Sequence, residues 1–251
     1  MTGVVAGIWR HPIKSHGREE LLRVPVTEGC CLPFDRNWAV AHEAAKLEDG
    51  KSWVPCTNFS RGSKAPKLMA ISAVTDEVTN TVTLTHPSQP GITINPDRAE
   101  DHARFLNWVK PLSPTDRAQP ERLVSVGRGM TDTDFESISF INLASHRAVE
   151  EKLGREISPQ RWRGNVLLDG FAPWEERNWI GKRLRIGEAE FEIREHITRC
   201  MATTASTRTG ERDADTLGVL NQNWGHQDCG VYAVVTKPGV IVREEPVEVI
   251  G

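Results

Sequence analysis

The run EAEFEIREHITRC, residues 188–200, decides how the second half of the chain is read. Within it Phe191, Ile193 and Ile197 alternate with Glu190, Glu192 and His196. A period of two belongs to a half-buried strand, which is therefore expected over Glu188–Ile197, heading straight for Cys200. A polar loop rich in Thr and Ser, Met201–Gly210, follows. A strand end holds a side chain rigidly, and a loop after it leaves that side chain accessible.

Working outward, short apolar segments broken by turn residues predict further strands at Asn165–Asp169, Arg183–Ile186, Val231–Thr236 and Val240–Val242, with Pro238-Gly239 turning the chain between the last two. The apolar run Ile138–Leu143 follows a polar turn, Thr131–Glu136, and precedes a helix with Ser145 as N-cap and Gly154 at its end. In the first half, strands are expected at Val4–Trp9, Trp38–Ala41 and Gly91–Asn95. A hairpin should pair Leu68–Val74 with Val78–Thr85, and a helix should span Pro96–Trp108 with Asn95 as its cap. Residues 110–121 hold Pro111, Pro114 and Pro120 and suggest a boundary near 122, giving domains 1–122 and 123–251. The expected fold class is mainly β with a few helices (α+β).

At 251 residues the chain is comfortable for two small domains. A net charge of -3 with interspersed acids and bases offers no basic tract for nucleic acid. The apolar start, Val4–Trp9, is too short for a signal peptide or a membrane span, so a cytoplasmic protein is expected. Five cysteines, at 30, 31, 56, 200 and 229, form no C-x2-C pair. Structural disulfides, a zinc ribbon and an internal iron–sulfur cluster are thereby disfavoured, and any redox role needs electrons from elsewhere.

Several clusters carry chemistry, each with a plainer alternative. Arg199 and Arg208 would favour a Cys200 thiolate, the form that attacks or binds metal; a free cysteine is as readily a small buried apolar residue. Lys14 and Ser15, in RHPIKS (10–15), can hold a phosphate or simply form a solvated turn. Arg36 can fork onto a phosphate or a pterin carbonyl, or spend itself in an exposed pair with Asp35. In RWRGN (161–165), Gly164 would allow a ligand close to the backbone, and Asn165 offers the donor and acceptor that read a heterocycle edge. Arginines around a tryptophan also suit single-stranded nucleic acid, which the absence of a wider basic surface disfavours. His196 and Cys200 would lie roughly 13 Å apart on an extended strand, so His196 is expected at the surface and a Cys–His hydrolase lacks a base. Cys229 and the adjacent Cys30-Cys31 are expected to be structural.

In order, these motifs resemble the MOSC family, with its N-terminal β-barrel partner, over nearly the whole chain. The likeness is closest to the branch that includes the mitochondrial amidoxime reducing component and its bacterial relatives. It rests on GIWRHPIKS (7–15), FDRNWAV (34–40), SFINLAS (139–145), RWRGNVLL (161–168), WIGKRLRIG (179–187) and TRCMATTASTRTG (198–210). The resemblance implies a β-barrel MOSC domain packed on an N-terminal β-barrel-like domain. It implies a molybdenum cofactor (Mo-molybdopterin) with Cys200 as metal ligand and catalytic anchor, while pyridoxal phosphate is not expected. Cofactor contacts are implied at Lys14, Ser15, Arg36, Arg163, Asn165, Thr198 and Arg199, and at Ser137 just before the SFINLAS run. The activity implied is reduction of small N-hydroxylated or N-oxygenated compounds, with electrons from a separate flavin, haem or iron–sulfur protein. A non-redox cofactor carrier or a persulfide-based sulfur-transfer protein is the alternative. Two departures stand out: many relatives have Thr-Thr-Val-Asp-Pro after the cysteine, where this chain has Thr203-Thr204-Ala205-Ser206-Thr207, and Glu244-Glu245 replaces a Gly-Asp pair.

Overall fold

The computed structural model describes residues 2–47 and 52–251. In chain order its elements are β1 (Thr2–Arg10), β2 (Glu19–Leu21), β3 (Arg23–Val26), β4 (Ala39–His42), β5 (Ser72–Asp76), β6 (Thr81–His86), β7 (Gln89–Ile94), α1 (Ala99–Val109) and β8 (Pro120–Val124). There follow β9 (Ile138–Asn142), α2 (Leu143–Leu153), β10 (Val166–Asp169), β11 (Arg183–Ile186), β12 (Ala189–Thr198), α3 (Thr216–Trp224), β13 (Asp228–Lys237), β14 (Gly239–Val242) and β15 (Pro246–Ile250). The fold is mainly β, as expected.

The largest sheet runs β10-β9-β13-β12-β11-β15-β1-β2, and a further pairing of β10 with β1 closes it. Seven strands thus form a barrel, with β2 attached outside the ring. Closure removes the open edges that would otherwise template association. The alternation in β12 is real: Phe191 and Ile193 are fully buried and pack with Val5, Ile8, Phe140 and Val231 in the barrel core. Phe140 meets Phe191 edge-on at 5.2 Å between ring centres. A second core, around Ile13, Trp38, Leu68, Leu84 and Phe105, lies under the β5-β6-β7 sheet and α1.

The expected division near residue 122 does not coincide with a break in the sheets. β8 runs through it, paired with β4, and β1 belongs to the barrel, with β2 attached to its edge. The N-terminal strand therefore serves the C-terminal half, and the chain leaving β1 delivers residues 11–18 to the barrel's side.

Several local expectations are corrected. The hairpin begins later, because Pro66–Ala70 forms a 3-10 turn, and β5 pairs β6 with Asp76 opposite Thr81. Asn95 does not cap α1: its side-chain Oδ1 accepts from Asp97 N, and Arg98 occupies the cap position without a side-chain bond. The cap of α2 is Asn142, which accepts from Ala144 N at 3.0 Å. Ser145 is instead fully buried and donates to the Glu176 carboxylate at 2.8 Å. β2, β3, β8, β15 and α3 lie outside the expected set; α3 is short and capped by Asp215, which accepts from Gly218 N.

Phe191 sits fully buried at the barrel centre. Phe191→Ala is expected to lower unfolding free energy by about 3–5 kcal/mol in urea titrations, with the m-value unchanged.

Candidate active-site cleft

A cavity of about 390 Å³ lies where the loops from β1 and β4 meet the end of β12. Its lining includes Lys14, Ser15, Arg36, Arg163, Thr198, Arg199 and Cys200, so seven of the nine residues named from sequence share one cavity. Ser137 and Asn165 do not line it. Cys200 is exposed and stands immediately before a 3-10 turn, Met201–Thr204, with an extended backbone (φ -123, ψ 176). The accessible thiol is thus the alternative the fold favours over a packed one.

The arginines are held by the backbone on which they sit. Ser15 (φ 64), Arg36 (φ 54) and Arg163 (φ 50) all adopt the left-handed region, uncommon for residues with side chains. Each such residue costs of order 1–3 kcal/mol, and such strain clusters at functional sites. For Arg36 the geometry is enforced from both sides, by its N–H to His11 O at 2.7 Å and by Met130 N donating to its carbonyl at 2.9 Å. For Arg163 it ends the 3-10 turn Pro159–Trp162, which Ser158 caps.

Arg36 is not half of an exposed surface pair. Asp35 is wholly buried and accepts from the Arg36 guanidinium and from His11 N (2.8 Å). Burial would raise the Asp35 pKa, but Arg36 and His11 outweigh it and hold the carboxyl well below the usual range. Arg36 also donates to Arg163 O at 2.9 Å, tying the two arginine segments together. Lys14 donates to Met130 O (2.7 Å) and to Asp132 (2.5 Å). Local desolvation, which would raise the Asp132 pKa, is overcome by Lys14, Arg36 and Arg163.

Arg163 differs from these. Its guanidinium donates to Gly17 O at 3.2 Å and makes no salt bridge among the described residues. Burial, with Arg36 and Arg18 close by, pushes its pKa down to about 9, which still leaves it protonated at neutral pH. Asp35 and Asp132 lie near enough to offset this in part, and a half-buried cation without a salt bridge attracts an anion.

Other expectations change. Arg199 is buried against Trp162 (5.5 Å to the ring centre) and donates to Trp162 O (2.7 Å) and Cys229 O (2.7 Å from Nε). Its main task is to brace the wall behind Cys200. Arg208 lies beside a separate depression with Arg18 and His86 and does not line the cavity of Cys200. Thr198 donates its hydroxyl to Asp228 at 2.8 Å. Ser137 is buried one layer back, 2.8 Å from the Thr133 hydroxyl, and Thr133 lines the cavity in its place. Asn165 spends its amide on Ser139 and Trp9 and so positions strands rather than reading a ligand edge. Gly164 leaves room for Ile141, whose Cγ1 would lie 2.2 Å from an added Cβ, rather than for a ligand.

His196 is half-buried in the cavity wall, because irregular pairing of β12 with β13 at Ile193/Glu195 and His196/Thr198 turns it inward; its Nε2 donates to Arg177 O at 3.0 Å. Cys229 is buried, and desolvation raises its pKa to about 12, as for Cys31. Sequence reasoning missed Cys56, Arg61, Asp132 and Thr133, all in the lining. No periodicity marks them; Arg61, whose NH1 donates to Cys56 Sγ at 3.2 Å, lies in a stretch without strand or helix pattern.

The fold and cleft thus define a closed β-barrel joined to an N-terminal β unit, with the exposed Cys200 thiol among backbone-held arginines. The comparisons place it more narrowly. The MOSC domain model matches residues 129–248 and the MOSC N-terminal beta barrel domain model matches residues 2–119. The chain belongs to the MOSC family. It is 21% identical to mitochondrial amidoxime-reducing component 1 of Mus musculus, over 99% of this chain and 83% of that protein. It is 26% identical to a molybdenum cofactor sulfurase of Anopheles gambiae, over 45% of this chain but only 16% of that protein. The chain thus spans less than a fifth of the length of the sulfurases it matches. The crystal structure of the YuaD protein from Bacillus subtilis shares the fold, with a TM-score of 0.51 at 14% identity, over 99% of this chain and 96% of that one. No helix among the described residues is long and apolar enough to cross a membrane.

His16, fully buried beside Lys14, donates from Nδ1 to Lys14 O at 2.7 Å, and burial lowers its pKa from 6.5 to about 4. As pH falls through 6.5 the unfolded chain takes up this proton first, so the stability it contributes is present above 6.5 and is lost toward 4. The loss is on the order of 3 kcal/mol. His16→Asn, whose amide can replace Nδ1, is expected to lessen the fall in urea stability between pH 7 and 4.5. An unchanged slope would contradict the burial argument.

Proposed function

We propose that this protein is a molybdenum-cofactor-dependent oxidoreductase that reduces small N-hydroxylated or N-oxygenated compounds, with electrons from a separate flavin, haem or iron–sulfur protein. The observation that carries the reading is the pairing, in one cavity, of the exposed Cys200 thiol with Arg163, a half-buried cation that makes no salt bridge among the described residues. Similarity over nearly the full chain to a protein named for amidoxime reduction supports the choice of substrate class.

The donor set fits such a cofactor. Among the described residues no group of three or more His, Cys, Asp or Glu side chains could hold a bare metal ion. Cys56 accepts from Arg61, while Cys200 offers an exposed soft ligand, which suits a metal that arrives chelated and needs one thiolate from the protein. Arg163, Arg36, Lys14 and Ser15 would hold the phosphate of a pterin cofactor, through charge-assisted bonds and hydroxyl donation. When bound, the cofactor supplies two-electron redox chemistry at the metal.

The chain's own residues orient and neutralise. Asp35 fixes the plane of the Arg36 guanidinium, Asp132 moderates the charge of Lys14, and Arg199 with Trp162 stiffens the wall behind the thiol. Reduction of an N–OH group consumes two electrons and two protons and releases water, so a path for protons into the cavity is required. The exposed Asp132 carboxyl lies at that boundary.

A second reading, cofactor carriage or sulfur transfer through a Cys200 persulfide, draws on the second cysteine of the cavity, Cys56. One assay separates the two. Metal-loaded protein with an artificial electron donor is expected to reduce benzamidoxime, and Cys200→Ser to lower kcat at least 100-fold. A metal-loaded wild type inert with every donor would favour the carrier.

A further inference from the structure

A smaller cavity, of about 200 Å³, lies beside the first; His42, Ser60, Arg61, Lys64, Ser113 and Arg117 are among its lining residues. Three of them carry a buried polar atom without a hydrogen-bond partner: His42 Nδ1, Ser60 Oγ and Ser113 Oγ. Ser60 is 8% exposed. Native proteins leave few such atoms, and three in one cavity call for a ligand.

The chemistry of that ligand follows from the atoms. His42 Nε2 lies 2.8 Å from Thr57 O. A carbonyl can only accept, so Nε2 carries the hydrogen and Nδ1 of the neutral ring is an acceptor. The two serine hydroxyls can donate. Arg61 and Lys64 make no salt bridge among the described residues, and Arg117 reaches only Asp116, at 3.7 Å. The site therefore asks for an oxyanion that also carries one acidic hydrogen.

We propose that this cavity binds the phosphate group, as hydrogen phosphate or as the singly protonated phosphate of a small phosphomonoester. Its anionic oxygens accept from Ser60, Ser113 and Arg61, and its P–OH donates to His42 Nδ1. Sulfate has the same shape and charge but no hydrogen to give, so the site discriminates against it. Arg61 also lines the larger cavity and donates to Cys56 Sγ at 3.2 Å, so occupancy is felt at that thiol.

Calorimetric titration of the full chain with inorganic phosphate, a small phosphomonoester and sulfate tests this. Phosphate is expected to bind at least tenfold more tightly than sulfate. The double variant Ser60→Ala/Ser113→Ala should weaken phosphate at least tenfold, and His42→Leu should erase the preference over sulfate. Phosphate should also change the alkylation rate of Cys56, followed by peptide mass spectrometry, at least twofold in wild type but not in the serine double variant. Tighter binding of the phosphomonoester would identify the ester as the ligand source, and tighter inorganic phosphate the free ion. Equal affinity for sulfate and phosphate, no binding at millimolar concentration, or an unchanged phosphate affinity in the serine double variant would overturn the proposal.

Discussion

Everything at the cleft depends on how Asn165 fastens the barrel seam. Its backbone N–H donates to Ser139 O (2.9 Å), and its side-chain oxygen accepts from Ser139 N (3.1 Å) and Oγ (2.8 Å). Its amide nitrogen donates to Trp9 O (3.2 Å), while Trp9 N donates back to its carbonyl (2.6 Å). One buried residue thereby joins the entrance of β10 to β9 and to β1, where the first and later parts of the chain meet. A buried amide so fully engaged specifies a single register, since a slip would strand several polar groups at once. Because β1 is locked here, the residues that follow it, His11 to Arg18, must lie against the Arg161–Arg163 turn.

Electrostatics then divide the labour. The buried Asp35 carboxylate offsets Arg36 and aims it, whereas Arg163 is bonded only to a carbonyl, and Arg36 and Arg18 outweigh the pull of Asp35 and Asp132 on it. That local excess of positive charge is invisible in a net charge of -3. The left-handed backbones of Ser15, Arg36 and Arg163 turn these side chains into one space, and the barrel's rigidity sustains the strain. Desolvated cations held by backbone need little reorganisation when an anion arrives.

How far the sequence foretold this follows from the range of each interaction. The alternation in β12 is written in adjacent residues, and the strand emerges within a residue of its expected bounds, with Cys200 accessible at its end. Ser145 and Asn142 are equally good caps by residue type; Glu176, which claims the Ser145 hydroxyl, lies 31 positions away and decides between them. Ser137 and Asn165 lie beside the cleft without lining it, because Thr133 and Ser139, reached only through tertiary contact, engage their polar atoms. The irregularities of β12 that swing His196 into the wall leave no sequence signature beyond a charged triplet. Membership of β1 in the barrel, a pairing across more than 150 positions, is likewise absent from any local pattern.

The central claim is that Cys200 anchors a metal whose cofactor the arginine cluster holds. Molybdenum content, measured on protein purified from a molybdate-replete host, tests it most directly. The account predicts close to one molybdenum per wild-type chain and near-complete loss in folded Cys200→Ser. Full molybdenum occupancy in that variant, or none in the wild type, would contradict it.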